Sequence, residues 1–235
     1  MAVCWKTCVS QITGCYGKII AMSENILSAD NQQGSFRLCA DNPSETTRRS
    51  PFANMSREEE VYAYVHGAMH DASLNKKKRI RFGQKYPEWL SLLRNLLLSV
   101  GVHSWMYKEG RNRDFYILET VCKNLHFDFS PSFLHTREEK IAYIRGFFDA
   151  EGGIPRTNDE FYIQLVQKNL SKIKMLKNIL AELGIESGKI HNPSKRVDAD
   201  YWRVFISRKS HKDFAAMIGS WHPVKAAIFS ERMMI

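Results

Sequence analysis

No stretch of this 235-residue chain approaches the roughly 18 consecutive apolar residues of a membrane span, which argues against a membrane-embedded protein. Near the N-terminus only Lys6 precedes a mixed segment broken by Gln11, Thr13 and Gly14, so the apolar core of a secretory signal is missing. The expectation is an intracellular protein, cytoplasmic or organellar. Cysteine is scarce and unevenly placed: Cys4, Cys8, Cys15 and Cys39 lie in the first 40 residues and Cys122 stands alone beyond them. An odd set of five outside a secreted context is no disulfide framework, and C-x3-C-x6-C is not a usual zinc spacing. Acids are also short, 25 against 34 Lys and Arg, for a net charge of +9.

That basic surplus has a location. Residues 1–55 hold five Lys or Arg against four acids, so +8 of the +9 belongs to the rest of the chain. An excess of this kind suits association with a polyanion, because each cation brought to a phosphate releases condensed counterions. Residues 1–55 also lack periodicity, carry the breakers Asn42-Pro43-Ser44 and Ser50-Pro51, and read as an N-terminal extension.

From Ser56 onward the chain repeats itself. Ser56-Arg57-Glu58-Glu59 and Thr136-Arg137-Glu138-Glu139 are both capping boxes, in which a hydroxyl accepts from the third helical amide and a glutamate reaches back to the cap amide. They stand 80 residues apart. Each opens an apolar helix carrying AYVHG or AYIRG, followed by strand-like sequence (KKKRIRFGQK; EFYIQLVQKN). A second helix follows in each half, PEWLSLLRNLLLSVG or LSKIKMLKNILAELG, closed by Gly101 or Gly184. Another hairpin and a closing helical segment complete each copy. Matching caps, AY-x-x-G and QK have different physical origins, so their joint recurrence points to a pseudo-twofold pair of half-domains, 56–135 and 136–235.

The segment Ala142-Tyr143-Ile144-Arg145-Gly146-Phe147-Phe148-Asp149-Ala150-Glu151-Gly152-Gly153 resembles the LAGLIDADG motif of homing endonucleases, with Gly146 at the interior glycine. The resemblance covers residues 56–235 and implies an α+β fold: two αββαββα half-domains on one monomeric chain, forming a DNA-binding β-saddle. In that family the motif helices pack at the pseudo-twofold axis, and an acid at each helix foot binds metal at the scissile phosphates. Acids are unfavourable at a helix C-terminus, so Glu151 before Gly152-Gly153 asks for a functional reason. Phosphodiester hydrolysis supplies one, because carboxylate-held Mg2+ or Mn2+ stabilises charge on attacking and leaving oxygens.

The first copy is weaker: Ala63-Tyr64-Val65-His66-Gly67-Ala68-Met69-His70-Asp71-Ala72-Ser73. Matching Gly67 to Gly146 puts Ala72 at the acid position, whereas matching the capping boxes puts Asp71 there. The two registers differ by about 100° around a helix. The capping-box register is adopted, with two helices of equal length, Ala68 replacing glycine at the crossing, and Asp71 as second metal ligand beside Glu151. The resemblance further implies that Gln167, in Gln164-x-x-Gln167-Lys168, and Gln84, in Gln84-Lys85, order water, and that Lys225, in His222-Pro223-Val224-Lys225, approaches the catalytic water. Expected DNA contacts are Lys76, Lys77, Lys78, Arg79, Arg81 and Lys85 in one half, and Arg156, Gln164, Lys168, Lys195, Arg196 and Arg203 in the other. Trp89, Phe147, Phe148 and Phe214 lie in helical apolar stripes and are expected in the core.

The function so implied is sequence-specific, metal-dependent cleavage of double-stranded DNA at a long asymmetric site, intron- or intein-associated. The alternative is a catalytically weakened LAGLIDADG nucleic-acid-binding protein, an intron maturase or regulator, with intron RNA as a candidate partner. A third class, a basic scaffold for partner proteins, predicts no salt-dependent DNA binding.

Overall fold

The computed structural model describes residues 58–76, 78–155 and 160–233. The extension 1–55, the Ser56 capping box, Lys77 and Arg156 lie outside the described residues. The first half runs α1 (Glu58–Ala68), a single 3-10 turn (Met69–Asp71), β1 (Ser73–Asn75), β2 (Arg79–Gln84), α2 (Pro87–Ser99), β3 (Ser104–Lys108) and β4 (Tyr116–Thr120). The second runs α3 (Arg137–Glu151), β5 (Gly152–Gly153), β6 (Gln164–Gln167), α4 (Leu170–Glu182), β7 (Trp202–Phe205), α5 (His211–Met217) and α6 (Pro223–Met233). Both sheets are antiparallel, ordered β1-β2-β4-β3 and β5-β6-β7.

Helix ends follow local chemistry. The Thr136 hydroxyl accepts from the Glu139 amide at 3.1 Å, while the Glu139 carboxylate accepts from the amides of Thr136 and His135. At the end of α2, Gly101 takes φ +72°, which lets Val102 N donate to Leu97 O and Gly101 N to Leu98 O. Gly184, at φ +80°, repeats the arrangement after α4, with Ile185 N bonded to Leu180 O and Gly184 N to Ala181 O. These paired 6→1 and 5→2 bonds need a left-handed residue, which glycine supplies without a Cβ clash.

The α+β pair of half-domains is present, with two local departures from αββαββα. The closing segment of the first half is only a 3-10 turn, Pro131–Phe133, capped by Ser130 and ended where Leu134 turns extended. In the second half, β7 pairs with β6 on one side, while on the other side the chain makes only isolated bridges, at Ser187–Ile206 and His191–Arg203. There Pro193 offers no amide, and the Asn192 side chain donates to the carbonyls of Asp198 and Ala199, curling residues 192–200 into a loop.

Each sheet turns one face to the helices. Ile80, Phe82, Met106 and Leu118 share the core face of the first sheet, and Leu165 with Val204 that of the second. Trp89, Phe147, Phe148 and Phe214 are all buried, as expected of their helical stripes. Burying such side chains stabilises by roughly 1.5–3 kcal/mol each.

The two halves meet where α1 crosses α3. A Cβ on Gly67 would stand 2.2 Å from Tyr143 O and 2.7 Å from Phe147 N; one on Gly146 would stand 2.0 Å from Tyr64 O and 3.0 Å from Ala68 N. Each glycine thus faces the residues three before and one after its counterpart. The pseudo-twofold axis therefore pairs Gly67 with Gly146, Tyr64 with Tyr143 and His70 with Asp149. This corrects the expected register: Ala68 does not stand in for glycine, and α1 is not the same length as α3.

Candidate active site at the feet of the crossed helices

Below the crossing the two chains descend differently. Five α-helical residues lead from Gly146 to Glu151, about 7.5 Å of rise and about 500° of rotation. Only four lead from Gly67 to Asp71, but three of those steps are 3-10, with about 2.0 Å and 120° each. Their total is again about 7.5 Å, and the rotation about 460°. The tighter turn therefore brings Asp71 to the depth of Glu151 with an angular mismatch near 40° instead of 100°. Ala72, which matches Glu151 by glycine register, lines a separate pocket with His66, His70, Gln167 and Lys172.

The electrostatics agree with this placement. Glu151 is half-buried, and desolvation together with the nearby Asp71 charge pushes its carboxyl up to about 7, against the pull of Lys225 and Lys168. Asp71 is raised by desolvation too, opposed by its hydrogen bond from Gln84 and by Lys225. Gln84 Nε2 donates to Asp71 Oδ2 at 3.0 Å. Lys225, in the first turn of α6, donates to Phe148 O and, at 2.9 Å, to Asp149 O, capping two carbonyls at the foot of α3. Asp71, Glu151, Gln84, Lys225 and Lys168 thus come together; Gln167 does not join them. Its oxygen accepts from the amides of Lys168 and Asn169, and its Nε2 lies 2.9 Å from His70 Nδ1.

That contact belongs to a pair of buried networks the sequence did not reveal. Asp149 is 1% exposed and accepts from the Tyr64 hydroxyl at 2.6 Å, the Ser220 hydroxyl and the Trp221 amide at 3.0 Å. Trp89 Nε1 in turn donates to Tyr64, so the chain of bonds joins α2 and α1 of one half to α3 of the other. Desolvation raises the Asp149 carboxyl, while those donors and Lys225 oppose it. At the symmetric position His70 Nε2 meets the Tyr143 hydroxyl at 2.9 Å. Since the Gln167 amide is the donor to Nδ1, the His70 proton sits on Nε2; burial holds its pKa down to about 3, with Lys172 and His66 contributing.

Two carboxylates do not make an all-protein metal cage, and no group of three or more His, Cys, Asp or Glu suited to a metal ion occurs among the described residues. They do fit Mg2+, which takes one or two carboxylates and leaves its other positions to water and phosphate oxygens. Two acids held close in this way, Glu151 half-buried and Asp71 open to solvent, gain from a bound cation.

The expected DNA contacts divide by face. Arg79 and Arg81 lie on the open face of the first sheet, and Gln164 and Arg203 on that of the second. Arg81 Nε, Gln164 Oε1 and Arg203 Nε are buried without a hydrogen-bond partner. Lys76 and Lys78 sit at the β1–β2 turn, Lys195 and Arg196 in the 192–200 loop, and Lys85 and Lys168 just past β2 and β6.

Paired half-domains, locked by glycine-notched helices whose feet carry acids between two open basic sheets, are the build of the LAGLIDADG homing endonucleases, and the chain belongs to that family. The LAGLIDADG-like domain profile matches residues 138–219. Homing endonuclease I-ApeI of Aeropyrum pernix is 31% identical over 196 residues, covering 72% of this chain and 85% of that protein. Among solved structures, I-DmoI in complex with DNA and Mn aligns over 69% of this chain and 98% of its own, with TM-score 0.53 and 21% identity. The N-terminal LAGLIDADG domain of WhiA aligns over 71% and 84%, with TM-score 0.56 and 16% identity. No helix among the described residues is long and apolar enough to cross a membrane.

Proposed function

We propose that this chain is a sequence-specific DNA endonuclease that makes a double-strand break at a long asymmetric site. It depends on Mg2+ or Mn2+, with Glu151 and Asp71 as the protein carboxylates. The observation that carries this reading is that those two acids, one from each half, follow the Gly67–Gly146 crossing and lie near enough for the Asp71 charge to raise the Glu151 carboxyl. A relative named as a homing endonuclease, and a structural neighbour solved with DNA and either Mn or Ca, support the activity and the divalent cation. A cation held there supplies charge stabilisation at the scissile phosphate and an activated water.

The chain's own groups divide the remaining work. Gln84 orients Asp71 by its amide donation, so the carboxylate keeps one rotamer. Lys225 fixes the carbonyls at the foot of α3 and holds the Glu151 carboxyl lower than burial alone would leave it. Asp149 ties α1, α3 and the Ser220–Trp221 segment together above the two acids. Basic side chains of both open faces hold phosphates and base edges. Gln167 is a catalytic candidate only if DNA draws its side chain away from His70.

The test uses the full chain with Mg2+ and duplexes drawn from a randomised library, sequencing the cleaved fraction. Glu151→Gln is expected to lose cleavage while binding the same selected duplexes within a few-fold. Full cleavage by the variant removes Glu151 from the role assigned. Intron or intein association is part of the same proposal and is tested by whether the reading frame lies inside such an element. A second reading, a weakened nucleic-acid-binding relative such as a maturase or regulator, is favoured by His70 and Ala72 at the symmetry positions of Asp149 and Glu151. Metal-indifferent binding of duplex or intron RNA, with no strand scission, decides for it.

A further inference from the structure

An acid on the open face of a sheet that meets DNA is out of place, because it repels phosphates and costs affinity. Glu119 is such an acid. It lies on β4, the inner strand between β2 and β3, in register with Arg81 on one side and Trp105 on the other, away from the core face that carries Leu118. Yet it is 1% exposed, because the side chains that bind it cover it. Its Oε1 accepts from Asn75 Nδ2 at 2.7 Å and from the Tyr107 hydroxyl at 3.2 Å, and its Oε2 accepts from Arg79 Nη1 at 3.3 Å. The Arg79 guanidinium also stands over the Trp105 ring, 5.3 Å from its centroid.

The donors are reached from three strands, and all end at one carboxylate. Burial works to raise the Glu119 carboxyl, but the hydrogen bonds from Asn75, Tyr107 and Arg79 and the Arg79 charge bring it below its ordinary value, so it stays ionised. Arg79 is therefore held twice, by an ion pair along one edge and a ring beneath its plane, while 46% of its side chain remains exposed. A free arginine on a basic face contacts phosphates in many poses. One clamped at Nη1 and stacked presents its remaining N–H donors in a fixed plane, the condition for a two-pronged contact with guanine O6 and N7. Trp105 and Tyr107, 39% and 40% exposed on the same face, flank it.

We propose that Glu119 is a positioning residue for base recognition: it locks Arg79 against Trp105 so that Arg79 reads a guanine in the half-site bound by the first half-domain. The inference rests on the endonuclease reading of the saddle. It adds a residue no motif marks and a base identity to the target. Among the described residues of the second half, Arg203 leans on Tyr201, 4.8 Å from the ring centroid, and no carboxylate clamps it.

The experiment selects bound duplexes from a randomised library with the full chain, with Arg79→Gln and with Glu119→Gln, and compares base frequencies at each position. The intact chain is expected to fix one guanine about 5- to 100-fold over other bases, the range of a two-pronged arginine contact. Arg79→Gln is expected to erase that preference and leave the other positions unchanged. Glu119→Gln is expected to weaken it at least fivefold, while affinity for a mixed-sequence duplex holds or tightens because a negative charge has left a basic face. Should Glu119→Gln fail to fold, Trp105→Ala, on an exposed side chain, is expected to weaken the same position. An unchanged guanine preference in Arg79→Gln, or in a folded Glu119→Gln, overturns the proposal alone, as does equal flattening of every position. No selection at all by the intact chain overturns both this proposal and the reading it rests on.

Discussion

Substituting Gly67 by alanine tests the crossing on which the site depends. The new Cβ would lie 2.2 Å from Tyr143 O, against the 3.0 Å below which real Cβ contacts essentially never fall, so the helices must part by about 0.8 Å. Both obstructing atoms are main chain, so no side chain can rotate away. Overpacking typically costs about 1–3 kcal/mol, and a backbone obstruction belongs in the upper part of that range or beyond it, about 2–4 kcal/mol. For a chain of this size that lowers Tm by roughly 5–15 °C. Separating the helices by close to an ångström also misplaces Asp71 relative to Glu151, and an error of that size costs about 100-fold in rate. Urea denaturation and single-turnover cleavage, measured at a temperature where the variant is folded, give the two numbers. A loss below about 0.5 kcal/mol with normal cleavage would refute the glycine-paired crossing.

Asp71→Asn is expected to block cleavage of one strand and leave nicked duplex, and Ala72→Asp should not rescue it because Ala72 faces the His70 pocket; rescue would return the acid role to the glycine-register position. Lys225→Met is expected to slow cleavage at least tenfold and move its pH profile upward, since Lys225 lowers the Glu151 carboxyl; a slowed but unshifted profile counts against that coupling. His66 is buried, with its pKa held down to about 4 chiefly by desolvation, whereas the unfolded chain titrates near 6.5. The folded protein binds fewer protons in that window, so stability is full above pH 6.5 and falls toward pH 4, by on the order of 3 kcal/mol. His66→Gln should flatten this acid limb in urea midpoints recorded from pH 7 to 4, and an unchanged slope would assign it to other groups.

Much of the architecture was legible because local chemistry decides it. The Thr136 capping box, the left-handed Gly101 and Gly184 and the apolar stripes each depend on a few neighbouring residues. The notched glycines were visible as letters, but their pairing was misjudged, because cap-to-foot distance was measured as if every step were α-helical. Hydrophobic periodicity cannot report the change of pitch at Met69–Asp71. Glu119 was missed for a different reason: in the run Tyr116-Ile117-Leu118-Glu119-Thr120 it reads as an ordinary strand acid, and only the register of β2 and β3 against β4, and of β1 against β2, gives it three donors. The Tyr64–Asp149 bond spans 85 residues and the Gln167–His70 contact 97, separations over which no motif spacing carries information.

The 3-10 turn beneath α1 carries a lesson for comparing relatives. Because pitch can change over a few residues, a missing amino acid in such a helix need not displace what hangs from its end: the chain winds tighter and recovers its reach. An alignment scored column by column would count the first motif as broken, opposing Ala72 to Glu151. By the rise of ideal α and 3-10 steps the two copies of the motif end at about the same height below the crossing, and loss of function in a relative is better judged by that height than by the letter in the column.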